Sequence, residues 1–231
     1  MTTEDPMIER LRKIPTATIC DAYLRLKLGP AERIVMRRVT ALDSYPGSVV
    51  GRARTQQMVT VRDPARGSMV ADRELHFELV DGTQADDFLV VAVAGHDLLA
   101  SFGDMLALKA HAQGAAGVVI DGATRDARVI RELGLPLWCD GLTPIPQGSG
   151  GYSVQSVNQT VTCAGVEVSP GDWVVGDDDG VVVVRPDEVE RILEVAEELE
   201  ATELAAREGV KAGKALSELY PSRAYYARGD G

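Results

Sequence analysis

The sequence predicts an α/β fold with a β-rich second layer and a C-terminal helical arm. Two valine-rich runs, "DFLVVAVAG" from Asp87 and "AAGVVID" from Ala115, flank a helical stretch, the pattern of strands buried on both faces. "GVEVSPGDWVVGDDDGVVVVRP" from Gly165 alternates strand-like runs with turn signals at Pro170-Gly171 and Asp179-Gly180. Asp187 to Leu219 is charged, with Val189, Ile192, Leu193, Ala196 and Leu199 spaced as one inner helical face.

The remaining elements follow in chain order. "IPTATICDAYLRLKLGP" reads as a helix with Thr16 or Thr18 near its cap and Gly29-Pro30 at its end. Arg33 to Val61 is β-like, and "SVVGRARTQQMVTV" is its clearest strand pair. A short helix is expected over Asp72–Val80. "GDMLALKAHAQG" has Met105, Leu108 and Ala112 on one helical stripe and Gly114 at the C-cap. "RDARVIRELG" is a short helix stopped by glycine, and Gly209 and Gly213 are expected to interrupt the long helix. The tail "PSRAYYARGDG" reads as loosely ordered. No repeat or linker divides the chain, so a single unit over 1–231 is expected, with a core at about 14–185 and the helix at about 187–219.

Composition narrows the function classes. The longest apolar run, Phe88 to Ala94, is far short of the roughly 20 residues a membrane helix needs. The charged N-terminus lacks the apolar stretch of a secretory signal. Cys20, Cys139 and Cys163 are odd in number and lack C-x-x-C spacing, which points to a reducing cytoplasm. A net charge of −11 argues against a nucleic-acid partner. With three histidines, His76, His96 and His111, any metal is expected to be a hard ion held by carboxylates.

The candidate site lies at Gly103-Asp104 and Arg125-Asp126. A helix of about ten residues followed by a returning strand brings the two pairs together despite twenty residues between them. The helix N-terminus favours an anion, and Gly103 permits close approach of a ligand. Arg125 can grip a carboxylate with two parallel bonds, while Asp104 and Asp126 can hold a Mg²⁺-like ion. A 2-oxo acid satisfies all three features. The structural alternative is that Asp104 is a first-turn helix residue and Arg125-Asp126 a capped helix start.

Other residues draw structural readings. Asp177, Asp178 and Asp179 lie in a hairpin turn, and Asp21 serves helix polarity or a structural bond. His76 and His96 are assigned structural or surface roles rather than general-base roles, and His111 an exposed one. Lys13, Lys27, Lys109, Lys211 and Lys214 all fall outside buried-strand patterns, which disfavours imine chemistry. No glycine-rich nucleotide loop is present. Arg52, Arg54, Arg73 and Arg128 are candidates for a distal substrate carboxylate.

The spacing D-x20-R-D at Asp104, Arg125 and Asp126, with "GAAGVVIDGATRD", "RELGLPLW", "ATICDAY" and "VEVSPGDWVVGDDDGVVVV", resembles the RraA-like family across about residues 14–219. That family includes divalent-metal-dependent 4-hydroxy-4-methyl-2-oxoglutarate aldolases. The resemblance implies a layered β/β/α swivelling-domain fold, assembled as a trimer or a dimer of trimers. A C-terminal arm too long to fold back simply on one domain is consistent with that assembly. The resemblance further implies Asp126 as direct ligand of Mg²⁺ or Mn²⁺ and Asp104 as holder of a metal-bound water. Arg125 would bind the oxo-acid end and stabilise an enolate, and the backbone N–H groups around Met105 and Leu106 would bind its carboxylate. Glu203 of the partner subunit would reach the metal's water shell, with Glu197, Glu198, Glu200 and Glu208 as rivals. The implied reaction cleaves 4-hydroxy-2-oxo dicarboxylic acids to pyruvate and a second oxo acid, with oxaloacetate decarboxylation through the same enolate. The family's other activity is inhibition of a ribonuclease by protein contact.

Overall fold

The computed structural model describes residues 5–60, 71–93, 99–147 and 152–220. Its elements in chain order are α1 (Pro6–Leu11), α2 (Thr16–Arg25), β1 (Thr40–Ala41), β2 (Val49–Thr60), α3 (Ala71–Asp81), β3 (Asp87–Ala92), β4 (Ala100–Phe102) and α4 (Asp104–Ala112). They continue with β5 (Gly117–Thr124), α5 (Ala127–Leu133), β6 (Leu137–Leu142), β7 (Tyr152–Val157), β8 (Val161–Cys163), β9 (Val166–Val168), β10 (Trp173–Asp177), β11 (Gly180–Val184), α6 (Val189–Lys211) and α7 (Leu216–Leu219). His96, the side chain of Arg73 and the tail from 221 lie outside the described residues.

The main sheet runs β1-β6-β5-β3-β2-β10-β11, with β4 added on β5 and β7 on β2. Strands β2, β3, β5 and β6 are mutually parallel, joined through the α3, α4 and α5 crossovers. Just before β1, Val35 bridges Val182 of β11, and the Met36 N–H donates to Val181. One stretch therefore links both ends of the sheet, leaving a nearly closed, barrel-like mixed α/β fold.

Period-2 alternation decides the packing. Leu89, Val91, Val118 and Ile120 face α3, α4 and α5 together with Leu79, Ala107, Ala110 and Ile130. Phe88, Val90 and Val119 face the other way, where Trp138 and the β8–β9 hairpin cover them through Cys163, Val166 and Val168. That hairpin is the expected second β layer. Helices α1, α2 and α6 cover the β10–β11 end around Trp173, Val175 and Val182.

Several expectations change. Within "SVVGRARTQQMVTV", Val49–Thr60 is one long strand, not a pair: β2 meets β10 at Val49–Arg52, β3 from Arg52 and β7 from Gln56, bending at a bulge between Gln57 and Met58. Met105 and Leu108 are 69% and 48% exposed, and Ala112 is also exposed; α4 instead buries Ala107 and Ala110. Small side chains let this short helix lie close to the sheet, so the bulkier residues point outward. Gly209 does not interrupt α6, and a Cβ there would lie 2.7 Å from a side-chain carbon of Leu219 in α7. Gly213, with φ of +83°, follows the helix end. The expectation that the arm cannot fold back is also corrected. All five predicted inner residues of α6 are buried in the cluster that includes α2, and Arg10 clamps α1 to α6 through Glu197 (2.8 and 2.9 Å) and Glu190 (2.7 Å).

The acidic turn has structural work in every position where its side chains bond. Asp177 caps α2 by accepting from the Thr16 N–H at 2.8 Å and the Thr16 hydroxyl at 2.7 Å. Asp178 accepts from the Ser44 hydroxyl and the Tyr45 N–H. Asp177→Ala should therefore cost about 1–2 kcal/mol in urea unfolding, the worth of a helix cap. Asp179→Ala, which removes no side-chain bond seen here, should stay within about 0.5 kcal/mol of the parent. Equal costs would contradict the capping account.

Candidate active site

The crossover β4–α4–β5 brings the two predicted pairs into contact. Gly103 ends β4's approach to α4, and Arg125 follows β5, which lies parallel to β4. The Arg125 N–H donates to the Phe102 carbonyl at 3.1 Å, and the Thr124 hydroxyl donates to the same oxygen at 2.9 Å. A Cβ at Gly103 would stand 3.0 Å from Asp126 Oδ2 and 3.2 Å from Arg125 Nε. Gly103 is extended (φ −150°), so this glycine serves space rather than an unusual backbone angle.

Asp126 occupies the N-cap position of α5 in the left-handed region (φ 59°), yet its side chain makes no capping bond. Its Oδ2 instead accepts from Arg125 Nε at 3.0 Å and lies 3.4 Å from the Asp104 N–H. A non-glycine residue in that region carries some strain, and in this conformation the carboxylate lies toward Asp104 and Arg125 rather than its own helix. The structural alternative of a simple cap is thereby disfavoured for Asp126. Asp104 differs, since its Oδ1 accepts from the Met105 N–H at 2.8 Å. That N–H, one of those expected to bind a carboxylate, is thus occupied by Asp104 in this structure.

Two cavities meet at Arg125. One, of about 280 Å³, is lined by Gly103, Asp104, Met105, Leu106, Arg125 and, on its other walls, His76 and Gln147 among others. The second, of about 440 Å³, is bounded by Arg125, Asp126, Leu142, Thr143 and Pro144. Asp104, Met105, Leu106, Arg125 and Asp126 are thus gathered in one place. Glu203 is not gathered with them within one chain: it pairs with Arg207 at 3.0 Å on α6. Its charge, after desolvation, pushes the Asp21 carboxyl upward, which places Asp21 with α6 and apart from this site.

None of Arg52, Arg54 and Arg128 lines either cavity. The Arg52 guanidinium lies 3.4 Å from the Trp173 ring centroid, and Arg54 donates to the Leu79 and Glu78 carbonyls. His111 is exposed on α4. His76 is the residue the sequence underrated, because its position depends on distant partners. It is 8% exposed, lines the smaller cavity, and has Nδ1 3.0 Å from Gln56 Oε1.

For a metal ion, Asp104 and Asp126 supply hard oxygen donors from two elements, the chemistry that suits Mg²⁺ or Mn²⁺. Among the described residues, no group of three His, Cys, Asp or Glu side chains converges to hold one. An ion here would therefore retain water or take a further donor from another copy. The residues fit a hydrated ion.

Two outcomes test these local assignments. Asp126→Gly removes the strain and a half-exposed ion pair, so stability should be unchanged or higher by up to about 1 kcal/mol; a loss beyond that would contradict the strain account. Burial lowers the His76 pKa from 6.5 to about 4, against a hydrogen bond to the Ser101 backbone that raises it. The unfolded chain thus takes up this proton first, and stability should decline as pH falls from about 6.5 to 4. His76→Gln should flatten that slope in urea titrations across the window, and an unchanged slope would refute it.

The family model "RraA-like: Aldolase/RraA" matches residues 16–183. A Halalkalibacterium halodurans protein named "Putative 4-hydroxy-4-methyl-2-oxoglutarate aldolase" is 32% identical over 225 residues, covering 95% of this chain and 98% of that one. A Hahella chejuensis protein of the same name is 31% identical, covering 74% and 93% respectively. The crystal structure of Streptomyces coelicolor RraAS2, described as an unusual member of the RNase ES inhibitor RraA protein family, superposes with a TM-score of 0.78. It is 32% identical and covers 90% of this chain and 98% of its own. No helix among the described residues is long and apolar enough to cross a membrane. The chain belongs to the RraA-like family.

Proposed function

We propose that the protein is a divalent-metal-dependent lyase that cleaves 4-hydroxy-2-oxo dicarboxylic acids of the 4-hydroxy-4-methyl-2-oxoglutarate type. The products are pyruvate and a second oxo acid, and oxaloacetate decarboxylation is a companion activity. One observation carries this reading: Asp126 gives up its own helix cap to face Arg125 and Asp104 beside a cavity. The aldolase names of the relatives support the same chemistry.

In this reading Asp126 would hold Mg²⁺ or Mn²⁺ directly and Asp104 would hold it through water, with Glu203 of the partner subunit contributing from a trimer or hexamer. When bound, that ion supplies positive charge where the 2-oxo oxygen becomes negative. Arg125 grips the oxo-acid end, and its fixed guanidinium stabilises charge developing on the same group. The N–H groups of Met105 and Leu106, at the α4 N-terminus, orient the carboxylate. Gly103 leaves room for the substrate's approach. Asp104, through a water, takes the C4 hydroxyl proton as the C3–C4 bond breaks. The bond's electron pair passes into the pyruvate enolate, C4 becomes the new carbonyl, and C3 later regains a proton.

A second reading has its own observation, the overall similarity to RraAS2. There the chain would be a non-catalytic regulator that binds a ribonuclease. The acidic charge suits either role.

The deciding assay couples pyruvate release to lactate dehydrogenase over a panel of 4-hydroxy-2-oxo acids and oxaloacetate, with Mg²⁺, Mn²⁺ or chelator. Turnover should require the metal. Arg125→Ala and Asp126→Asn should each lower kcat/KM by at least about a hundredfold while leaving far-UV circular dichroism unchanged. Metal-independent turnover or full activity of either variant would refute the site. No turnover with any substrate, together with recovery of a ribonuclease in a pull-down, would favour the regulator.

A further inference from the structure

His76 lies outside the group assigned to chemistry, yet two polar contacts converge on it. Its Nδ1 faces Gln56 Oε1 at 3.0 Å, and Gln56 is wholly buried on β2 next to the bulge at Gln57/Met58. The Gln56 amide nitrogen in turn points to the Leu75 carbonyl at 3.4 Å. The imidazole also hydrogen-bonds the backbone of Ser101, the middle residue of β4. A chain of polar groups thus joins β2, α3 and β4 across the wall of the smaller cavity.

β4 needs such support. It has three residues, pairs with β5 along one edge in broken register, takes two further bonds at the Phe102 carbonyl, and meets the 145–146 segment through Ala100. The Ser101 hydroxyl adds a long 3.4 Å bond to Ala123. Yet β4 ends one residue before Gly103, so any displacement of it moves Asp104 and the first N–H groups of α4. We propose that His76 is a positioning residue: by bonding Gln56 and Ser101 it fixes β4 relative to β2 and sets the place of Gly103, Asp104 and the α4 N-terminus.

The chemistry of the ring suits a strut. Burial keeps it neutral near pH 7. A neutral imidazole carries one N–H; with the Gln56 amide nitrogen committed to the Leu75 carbonyl, that N–H is donated from Nδ1 to Gln56 Oε1. The ring brings no second cation beside Arg125. A mobile loop acid or lysine in its place would pay a larger desolvation cost at this depth.

The functional consequence rests on the aldolase reading, but the strut itself does not, and the experiment separates them. Amide hydrogen exchange is compared for the full chain and for His76→Phe, His76→Gln and Gln56→Met, without added metal. His76→Phe should speed exchange across residues 102–107 by about tenfold or more, with β10 and β11 unchanged. His76→Gln, which keeps a donor and an acceptor, should stay within about threefold of the parent. If His76→Phe does not fold, Gln56→Met must produce the local increase instead. Exchange at 102–107 equal to the parent, or an increase spread equally over β10 and β11, overturns the proposal. In a second arm, calorimetry with oxalate, a planar mimic of the pyruvate enolate, and Mg²⁺ should show binding weakened about tenfold by His76→Phe and largely restored by His76→Gln. If the parent binds no oxalate, the aldolase reading fails while the exchange result still decides the strut.

Discussion

The site depends on how closely the turn at Gly103 approaches the end of β5. There is no space for a side chain: a Cβ would press on both Asp126 and Arg125. That proximity follows from the parallel pairing of β4 with β5, with α4 packed along the sheet as the crossover that returns the chain to the same edge. It puts the N–H groups of a helix start, a guanidinium and two carboxylates within one small volume. The strained backbone of Asp126 belongs to the same arrangement, because relaxing it would let the carboxylate cap α5 and leave Arg125.

The rest of the fold holds that turn in place. The parallel strands β3, β5 and β6 are buried on both faces, between helices on one side and the β8–β9 hairpin with Trp138 on the other. Such a strand cannot slip by one residue without driving its whole apolar set to the wrong face. The α1–α2–α6 layer lies at the far end of the sheet and is fixed by its own core, the Arg10 clamp and the Asp177 cap. The candidate site and the helical arm of one chain are therefore built separately. Exposed Leu204, Val210 and Leu216 mark the outer part of that arm, as Met105 and Leu108 mark the outer face of α4.

Much of this was legible in residue patterns. Continuous valine-rich runs identify β3 and β5 because burial on both faces removes polar alternation. The five-residue stripe of α6 identifies its inner face, and helix-plus-strand arithmetic joins Asp104 to Arg125 and Asp126. What escaped was set by distant partners. Nothing local in "SVVGRARTQQMVTV" says that three different neighbours keep it one strand. In α4 the apolar stripe of Met105 and Leu108 was the stronger local signal, but close packing on the sheet selected the alanines. His76 is an unremarkable helix residue until Gln56 and Ser101, brought from β2 and β4, surround it. Glu203 pairs within its own helix here, so its proposed role depends on another copy, which one chain's pattern cannot specify.

The central claim is that Asp104 and Asp126, with Arg125 beside them, form a site for a hydrated divalent ion and an oxo acid. Mn²⁺ titration followed by electron paramagnetic resonance tests it most directly, since protein-bound Mn²⁺ loses the sharp signal of the free ion. The parent chain should bind Mn²⁺, and pyruvate or oxalate should alter the bound spectrum. Asp126→Asn should leave the ion free while the protein stays folded. Equal Mn²⁺ binding by the parent and Asp126→Asn would contradict the account.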